Sequence, residues 1–179
     1  KQESMKEIKV FLASSEELEQ DREAFGNFIR RLDNLYEKRG IRIRLFQWED
    51  FDAAYNDKRK QDEYNEYIKQ SDLFLALFRT KAGKFTVEEF ELARNEHREK
   101  GLPKPHVYCR DLEQGETEDA TLTEFKQRLF AEMGHFFARY KNEDGLNLHF
   151  VMQLQLFENS TQEQVETDGN LITFCGEPI

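Results

Sequence analysis

LFLALF, residues 73–78, is the longest uninterrupted apolar run in this chain of 179 residues. It shows no alternation of apolar and polar side chains, so both faces of a strand built from it would be covered, as in a parallel sheet. The run is also far too short to span a bilayer. We therefore predict that Leu73–Phe78 forms the central strand of a parallel β-sheet.

The residues before this run predict a strand, a helix and a second strand. Ile8–Ala13 is a short apolar run with β-branched residues, and Ser14 is followed three positions later by Glu17, the capping-box pattern of a helix start. Ile41–Leu45 alternates with arginines, as in a strand, and Gly40 suits the end of the intervening helix. The buried face of that helix is predicted to carry Leu18, Phe25, Ile29, Leu32 and Tyr36.

The residues after the second strand continue the alternation. Gln47–Arg59 contains four acids and no periodicity, which indicates a long loop, and Tyr64–Ile68 marks the next helix. Thr86 is expected to open a third helix that ends near Glu99, and His106–Cys109 reads as a fourth strand.

The last part of the pattern predicts one more helix and one more strand. The helix would carry one apolar face from Leu122 to Tyr140, and Leu146–Phe150 would form the fifth strand. The whole order predicts an α/β, flavodoxin-like open parallel sheet of five strands with helices on both faces. We place this domain at residues 1–154 and assign 155–179 to a linker and the start of a following domain, with a strand at Leu171–Phe174.

Composition narrows the class of protein. A net charge of −10 opposes direct binding to nucleic acid, and 35% charged residues argue against a membrane protein. Cys109 and Cys175 lie far apart and no signal segment is present, which favours the cytoplasm. The four histidines lack metal-ligand spacing, so no metal is predicted. Because the chain begins at Lys1, we expect a piece of a longer protein that lacks a C-terminal partner domain.

Candidate site residues follow from the predicted sheet, since ligands bind beyond the carboxyl ends of parallel strands. Ser14 and Ser15 could bind phosphate or ribose at a helix N-terminus, or cap that helix. Trp48, in the long loop, lines a pocket or packs the loop. Phe85 is either core, a hydrophobic staple, or an aromatic wall for a flat ring. Glu89 is either a catalytic carboxylate or the capping-box partner of Thr86.

Three segments resemble bacterial TIR (Toll/interleukin-1 receptor) domains over roughly residues 6 to 154. They are Val10–Ser15, Ser71–Leu77 and Phe85–Ala93. In NAD-cleaving TIR domains a glutamate begins the helix after strand three, preceded four positions earlier by an aromatic residue and followed by Ile/Phe-x-x-Ala. That pattern falls here on Glu89, Phe85 and Phe90–Ala93, with Glu88 as the adjacent alternative. The family's aromatic residue is commonly tryptophan, so Phe85 is a departure.

The resemblance implies an NAD glycohydrolase or cyclase that cleaves the nicotinamide-ribose bond, with NAD as substrate and no cofactor. It also implies a site completed by self-association, a sensor domain that triggers assembly, and a role in bacterial antiphage defence. Two other functions stay open on the sequence. One is a nucleoside deoxyribosyltransferase-like enzyme, and the other is a non-enzymatic TIR interaction module in which Glu89 is only a cap.

Overall fold

The structure is a computed structural model, and it describes residues 5–47, 57–161, 165–168, 171–174 and 177–178. Contacts within the chain divide it into two compact units, Lys1–Glu143 and Asp144–Ile179. The domain boundary predicted at residue 154 stays a prediction. No helix among the described residues is both long and apolar enough to cross a membrane.

Strands and helices alternate through the first unit. In chain order they are β1 (Lys6–Ser14), a 3₁₀ turn (Glu16–Leu18), α1 (Glu19–Glu37), β2 (Ile41–Gln47), α2 (Asp57–Gln70), β3 (Leu73–Phe78), α3 (Lys84–Lys100), β4 (Lys104–Arg110), α4 (Ala120–Ala131) and β5 (Phe137–Tyr140). Residues 57–59, which we assigned to the long loop, belong to α2 instead.

The five strands form one sheet in the order β2-β1-β3-β4-β5, and every neighbouring pair is parallel. This is the flavodoxin-like order, so the predicted fold class is confirmed. Right-handed crossovers place α1 on one face and α2, α3 and α4 on the other. The core of the second face contains Phe74, Ala76 and Phe78 together with apolar residues of these three helices.

The central position of β3 is confirmed. All six of its residues are buried, because it lies between β1 and β4 and is covered on both faces. The predicted buried face of α1 is confirmed as well: Phe25, Ile29, Leu32 and Tyr36 are all buried, and Leu18 is buried at the end of the preceding 3₁₀ turn. Gly101 ends α3 with a φ of 81°, a left-handed conformation that glycine adopts readily.

The prediction for the fifth strand was wrong. Gly134, with a φ of 57°, follows α4, and the chain then forms β5 at Phe137–Tyr140, within the stretch we had assigned to a helix. Residues 146–150, the predicted strand, lie instead in α5 (Glu143–Thr161). Their alternation was incidental, because burial follows a helical period: Leu148 is exposed, whereas the buried apolar residues are Leu146, Phe150, Leu154 and Phe157.

Most of the second unit consists of α5 and short antiparallel strands. The strands β6 (Val165–Asp168), β7 (Leu171–Phe174) and β8 (Glu177–Pro178) pair in sequence order. The strand predicted at Leu171–Phe174 is therefore present.

The histidine on β4 makes the fold sensitive to acid. Burial, helped by the nearby His135, Lys104 and His97, lowers the pKa of His106 from 6.5 to about 4. Its Nε2 atom is buried and has no hydrogen-bond partner in the part of the chain that the structure describes. Below pH 6.5 His106 binds a proton in the unfolded chain but not in the folded protein, so the unfolding free energy falls as the pH drops toward 4.

We expect wild type to lose about 2 kcal/mol more unfolding free energy than His106→Gln between pH 7.5 and pH 5. Urea denaturation of both proteins at the two pH values measures the difference. Equal losses would show that His106 does not contribute to acid sensitivity.

Candidate functional site

A cleft of about 390 Å³ opens at the carboxyl ends of β1 and β3. The chain leaves β1 toward β2 on one side and later returns to β3 on the other, so the loops after these strands diverge. Such a switch point is where open α/β sheets bind ligands. The cleft is lined by Phe11, Leu12, Ala13, Ser14, Ser15, Glu16, Arg22, Tyr64, Lys81, Gly83, Lys84, Phe85, Thr86 and Glu89.

Glu89 is a buried carboxyl group in this cleft, with 8% of its surface exposed. Its carboxylate accepts no hydrogen bond from any residue that the structure describes. Burial, and to a lesser extent the charge of Glu88, raises the pKa of Glu89 from 4.5 to about 7. At neutral pH the site therefore holds a carboxyl group that is poorly solvated when ionised, a property common among catalytic carboxylates.

The capping-box interpretation of Glu89 was wrong. The third helix begins at Lys84, and its N-cap is Gly83, so Thr86 lies inside the helix and Glu89 lies beyond its first turn. A residue in that position does not reach back to an N-cap backbone N–H. The described structure thus gives Glu89 no capping role.

Phe85 lies in the first turn of α3, four residues before Glu89, and therefore on the same side of the helix. Its side chain lines the cleft while 65% of its surface stays exposed. It belongs neither to the core nor to a hydrophobic staple, which requires a residue that precedes the N-cap. The exposed ring is available to stack against a flat ligand.

Both predicted serines line the cleft, but neither caps α1 as expected. Ser14 is the last residue of β1, and Ser15 precedes the 3₁₀ turn without making a side-chain cap. Arg22 holds this segment from α1: its Nη1 donates to Ser14 Oγ at 2.9 Å and to the Ser15 carbonyl oxygen at 2.8 Å. The arginine is buried and lines the same cleft.

Glu17 connects the two loops that form the walls of the cleft. It accepts hydrogen bonds from Ser15 Oγ at 3.1 Å, from the Thr80 backbone N–H at 3.1 Å and from Thr80 Oγ1 at 2.5 Å. Thr80 belongs to the loop between β3 and α3. The capping box predicted for Ser14 and Glu17 was therefore wrong, because the glutamate bonds across to a second loop.

Trp48 lies outside the described residues, and its predicted place in the pocket stays a prediction. Within the described residues no group of histidine, cysteine and carboxylate side chains is arranged to hold a metal ion.

A second cleft of about 280 Å³ lies at the ends of β4 and β5. It is lined by several cations, and each of them pairs with a carboxylate: Arg79 with Glu116, Arg110 with Asp21, Arg139 with Asp111 and Lys126 with Glu118. Since its charges are internally matched, it offers a weaker case for a ligand than the cleft that contains Glu89.

No family model matches this sequence, and no curated protein matches it. Solved structures with a similar arrangement include a CMP N-glycosidase, BcmB, from Clostridium botulinum, at 17% identity and a TM-score of 0.48, over 80% of this chain and 98% of that one. A conserved protein from Enterococcus faecalis matches at 16% identity and a TM-score of 0.49, over 82% and 98% of the two chains.

The RPS4 and RRS1 TIR domain heterodimer matches at 12% identity and a TM-score of 0.46, over 85% of this chain and 98% of that one. At such identities and scores, the comparisons carry no argument about activity.

The buried carboxyl group should cost the folded protein stability at high pH. Because the pKa of Glu89 is raised in the folded state, the cost appears above pH 4.5 and is complete above about pH 7. We expect Glu89→Gln to raise the unfolding free energy by about 3 kcal/mol at pH 8, with most of the gain lost by pH 5.

Urea denaturation at the two pH values measures this gain. The matched control is Glu88→Gln, which alters the exposed neighbouring carboxylate and should shift stability by no more than about 0.5 kcal/mol. A Glu89→Gln protein no more stable than wild type at pH 8 would contradict the assignment of a strained carboxylate.

Proposed function

We propose that this protein cleaves the bond between nicotinamide and ribose in NAD, with Glu89 as the catalytic carboxylate. The observation that carries the proposal is the position of Glu89: a buried carboxyl group without a hydrogen-bond donor among the described residues, in a cleft at the switch point of the sheet. An ionised carboxylate is costly at this buried position, so binding of a ligand that brings a positive charge next to Glu89 would be strongly favoured.

The chemistry asks for one well-placed negative charge. When the C1′–N bond breaks, its electron pair leaves with nicotinamide, which becomes a neutral pyridine and needs no general acid. The ribose is left with oxocarbenium character, and a carboxylate beside it stabilises that charge. Water then adds to C1′ and loses a proton, giving ADP-ribose.

The surroundings of Glu89 suit this reaction. Phe85 offers an exposed ring on the same side of α3, where it can stack on the nicotinamide or another flat base. The pKa of about 7 keeps a substantial fraction of the carboxyl group ionised at neutral pH, while burial makes that charge more effective than it would be in water.

The structure weakens the main support for a purely non-enzymatic interaction module. In that alternative Glu89 acts only as a helix cap, and the described structure gives Glu89 no capping hydrogen bond. The proposal keeps the expectation that activity depends on self-association of the domain and serves antiphage defence, so protein concentration is part of the test.

Nicotinamide release from NAD is the direct test. At high protein concentration with a crowding agent, wild type should release nicotinamide, and Glu89→Gln should reduce the rate by about 100-fold or more because the charge is lost while the shape is retained. Glu88→Gln is the control, and it should keep most of the activity. If wild type leaves NAD intact although its self-association is verified by light scattering, the proposal fails.

The pH profile provides an independent test. Because the ionised form of Glu89 is the active one, kcat/KM should rise about tenfold per pH unit below pH 7 and level off above it. Initial rates between pH 5 and pH 9 measure this. A profile that is flat through pH 7 would assign the reaction to a group other than Glu89.

A further inference from the structure

We infer that Ser15 accepts a hydrogen bond from a hydroxyl group of the substrate's nicotinamide ribose, so that the cleft selects ribosides over deoxyribosides. This inference rests on the proposed function and deepens it, because it names the sugar that the site recognises. It also decides between the two ligand groups, phosphate and ribose, that the sequence leaves open for Ser15.

The hydroxyl hydrogen of Ser15 is donated to Glu17 within the protein. Ser15 donates to Glu17 Oε1 at 3.1 Å, and an ionised carboxylate can only accept. The Thr80 backbone N–H and the Thr80 hydroxyl group donate to the same carboxylate from the other loop. Together with the Lys81 backbone N–H, which donates to Glu17 Oε1 at 3.4 Å, these donors hold Glu17 in place, so the hydroxyl hydrogen of Ser15 is committed to it.

Ser15 Oγ can still accept a hydrogen bond from a ligand. With its hydrogen engaged, Ser15 Oγ keeps lone pairs that can accept a hydrogen bond, and Ser15 is one of the residues that line the cleft. A phosphate oxygen also lacks a hydrogen, so phosphate and Ser15 would face each other without a bond. A ribose hydroxyl group, in contrast, can donate to it.

Ser14 has the opposite polarity. Its Oγ accepts from Arg22 Nη1 at 2.9 Å, so its own hydrogen remains for donation into the cleft. Neighbouring serines thus differ in what they bind: Ser14 suits an acceptor on the ligand, and Ser15 suits a donor. A vicinal diol has two hydroxyl groups, so one can accept from Ser14 while the other donates to Ser15, whereas a deoxyribose keeps only one of the two.

Ser15 lies close to the start of α3, the helix that carries Glu89. Ser15 Cβ lies 3.9 Å from the point that a Cβ on Gly83 would occupy, and Thr86 Oγ1 lies 3.8 Å from the same point. Thr86 precedes Glu89 by three residues on α3, about one helical turn or roughly 5 Å along its axis. Ser15, Gly83, Thr86 and Glu89 all line the same cleft, so a sugar that fills it with its anomeric carbon at Glu89 can present hydroxyl groups to Ser15.

The test measures binding in a protein that does not turn over its ligand. Glu89→Gln is titrated by calorimetry with NAD and with its two analogues that lack the 2′- or the 3′-hydroxyl group on the nicotinamide ribose. Adding Ser15→Ala should weaken NAD binding about tenfold and leave the binding of at least one deoxy analogue unchanged.

Two further variants make the test specific. Ser14→Ala is the comparison: because Ser14 donates to the ligand and Ser15 accepts from it, a loss caused by Ser14→Ala should not spare the same deoxy analogue that Ser15→Ala spares. Glu17→Gln introduces an amide that can donate to Ser15, and it should reduce the preference for NAD over the same deoxy analogue, as Ser15→Ala does. Thermal denaturation of each variant confirms that it is folded.

The outcomes separate the inference from the proposed function. Equal weakening of all three ligands by Ser15→Ala, or no weakening of NAD, overturns the inference even if wild type releases nicotinamide. A selective loss of NAD binding supports the inference even if wild type releases none. Absence of NAD binding to Glu89→Gln at millimolar concentration overturns it as well.

Discussion

The parallel pairing of β1 with β3 is the contact on which the candidate site depends. Residues Val10–Ser14 lie in register with Leu73–Leu77, and the apolar side chains of both segments are buried. Because the chain makes β2 on the far side of β1 before it returns to β3, the loops that follow the paired strands have to separate. The cleft is therefore a result of strand order, and its walls follow directly from the buried strands at the sheet centre.

The cleft combines firmly held walls with one unsatisfied charge. Glu17 and Arg22 tie the serine segment to the neighbouring loop and to α1 through hydrogen bonds. Glu89 has no such support from the described residues, and burial raises its pKa. This contrast is what a binding site requires: fixed groups that define shape and polarity, and a strained group whose energy improves only when a ligand arrives.

Much of the fold was predictable because burial imposes simple patterns. The apolar run of β3 and the three- and four-residue spacing of the buried face of α1 leave little choice of structure. The fifth strand failed because a chance alternation in α5 imitates a strand, and because β5 has only four residues. Short edge strands carry too few positions for a pattern to show.

The site was predictable in its residue types more than in its contacts. The sequence predicts a site that contains Ser14, Ser15, Phe85 and Glu89, and all four line one cleft in the structure. Arg22 was missed, although a signal exists: it fills the gap between Leu18 and Phe25 on the buried face of α1, where a charged residue is out of place. The bond from Glu17 to Thr80 joins residues 63 positions apart and has no local signature. Because the pKa of Glu89 is near 7, a cationic ring that binds beside it near neutral pH favours the ionised carboxylate, and binding releases a proton. The measured heat of binding then depends on the buffer that takes up this proton.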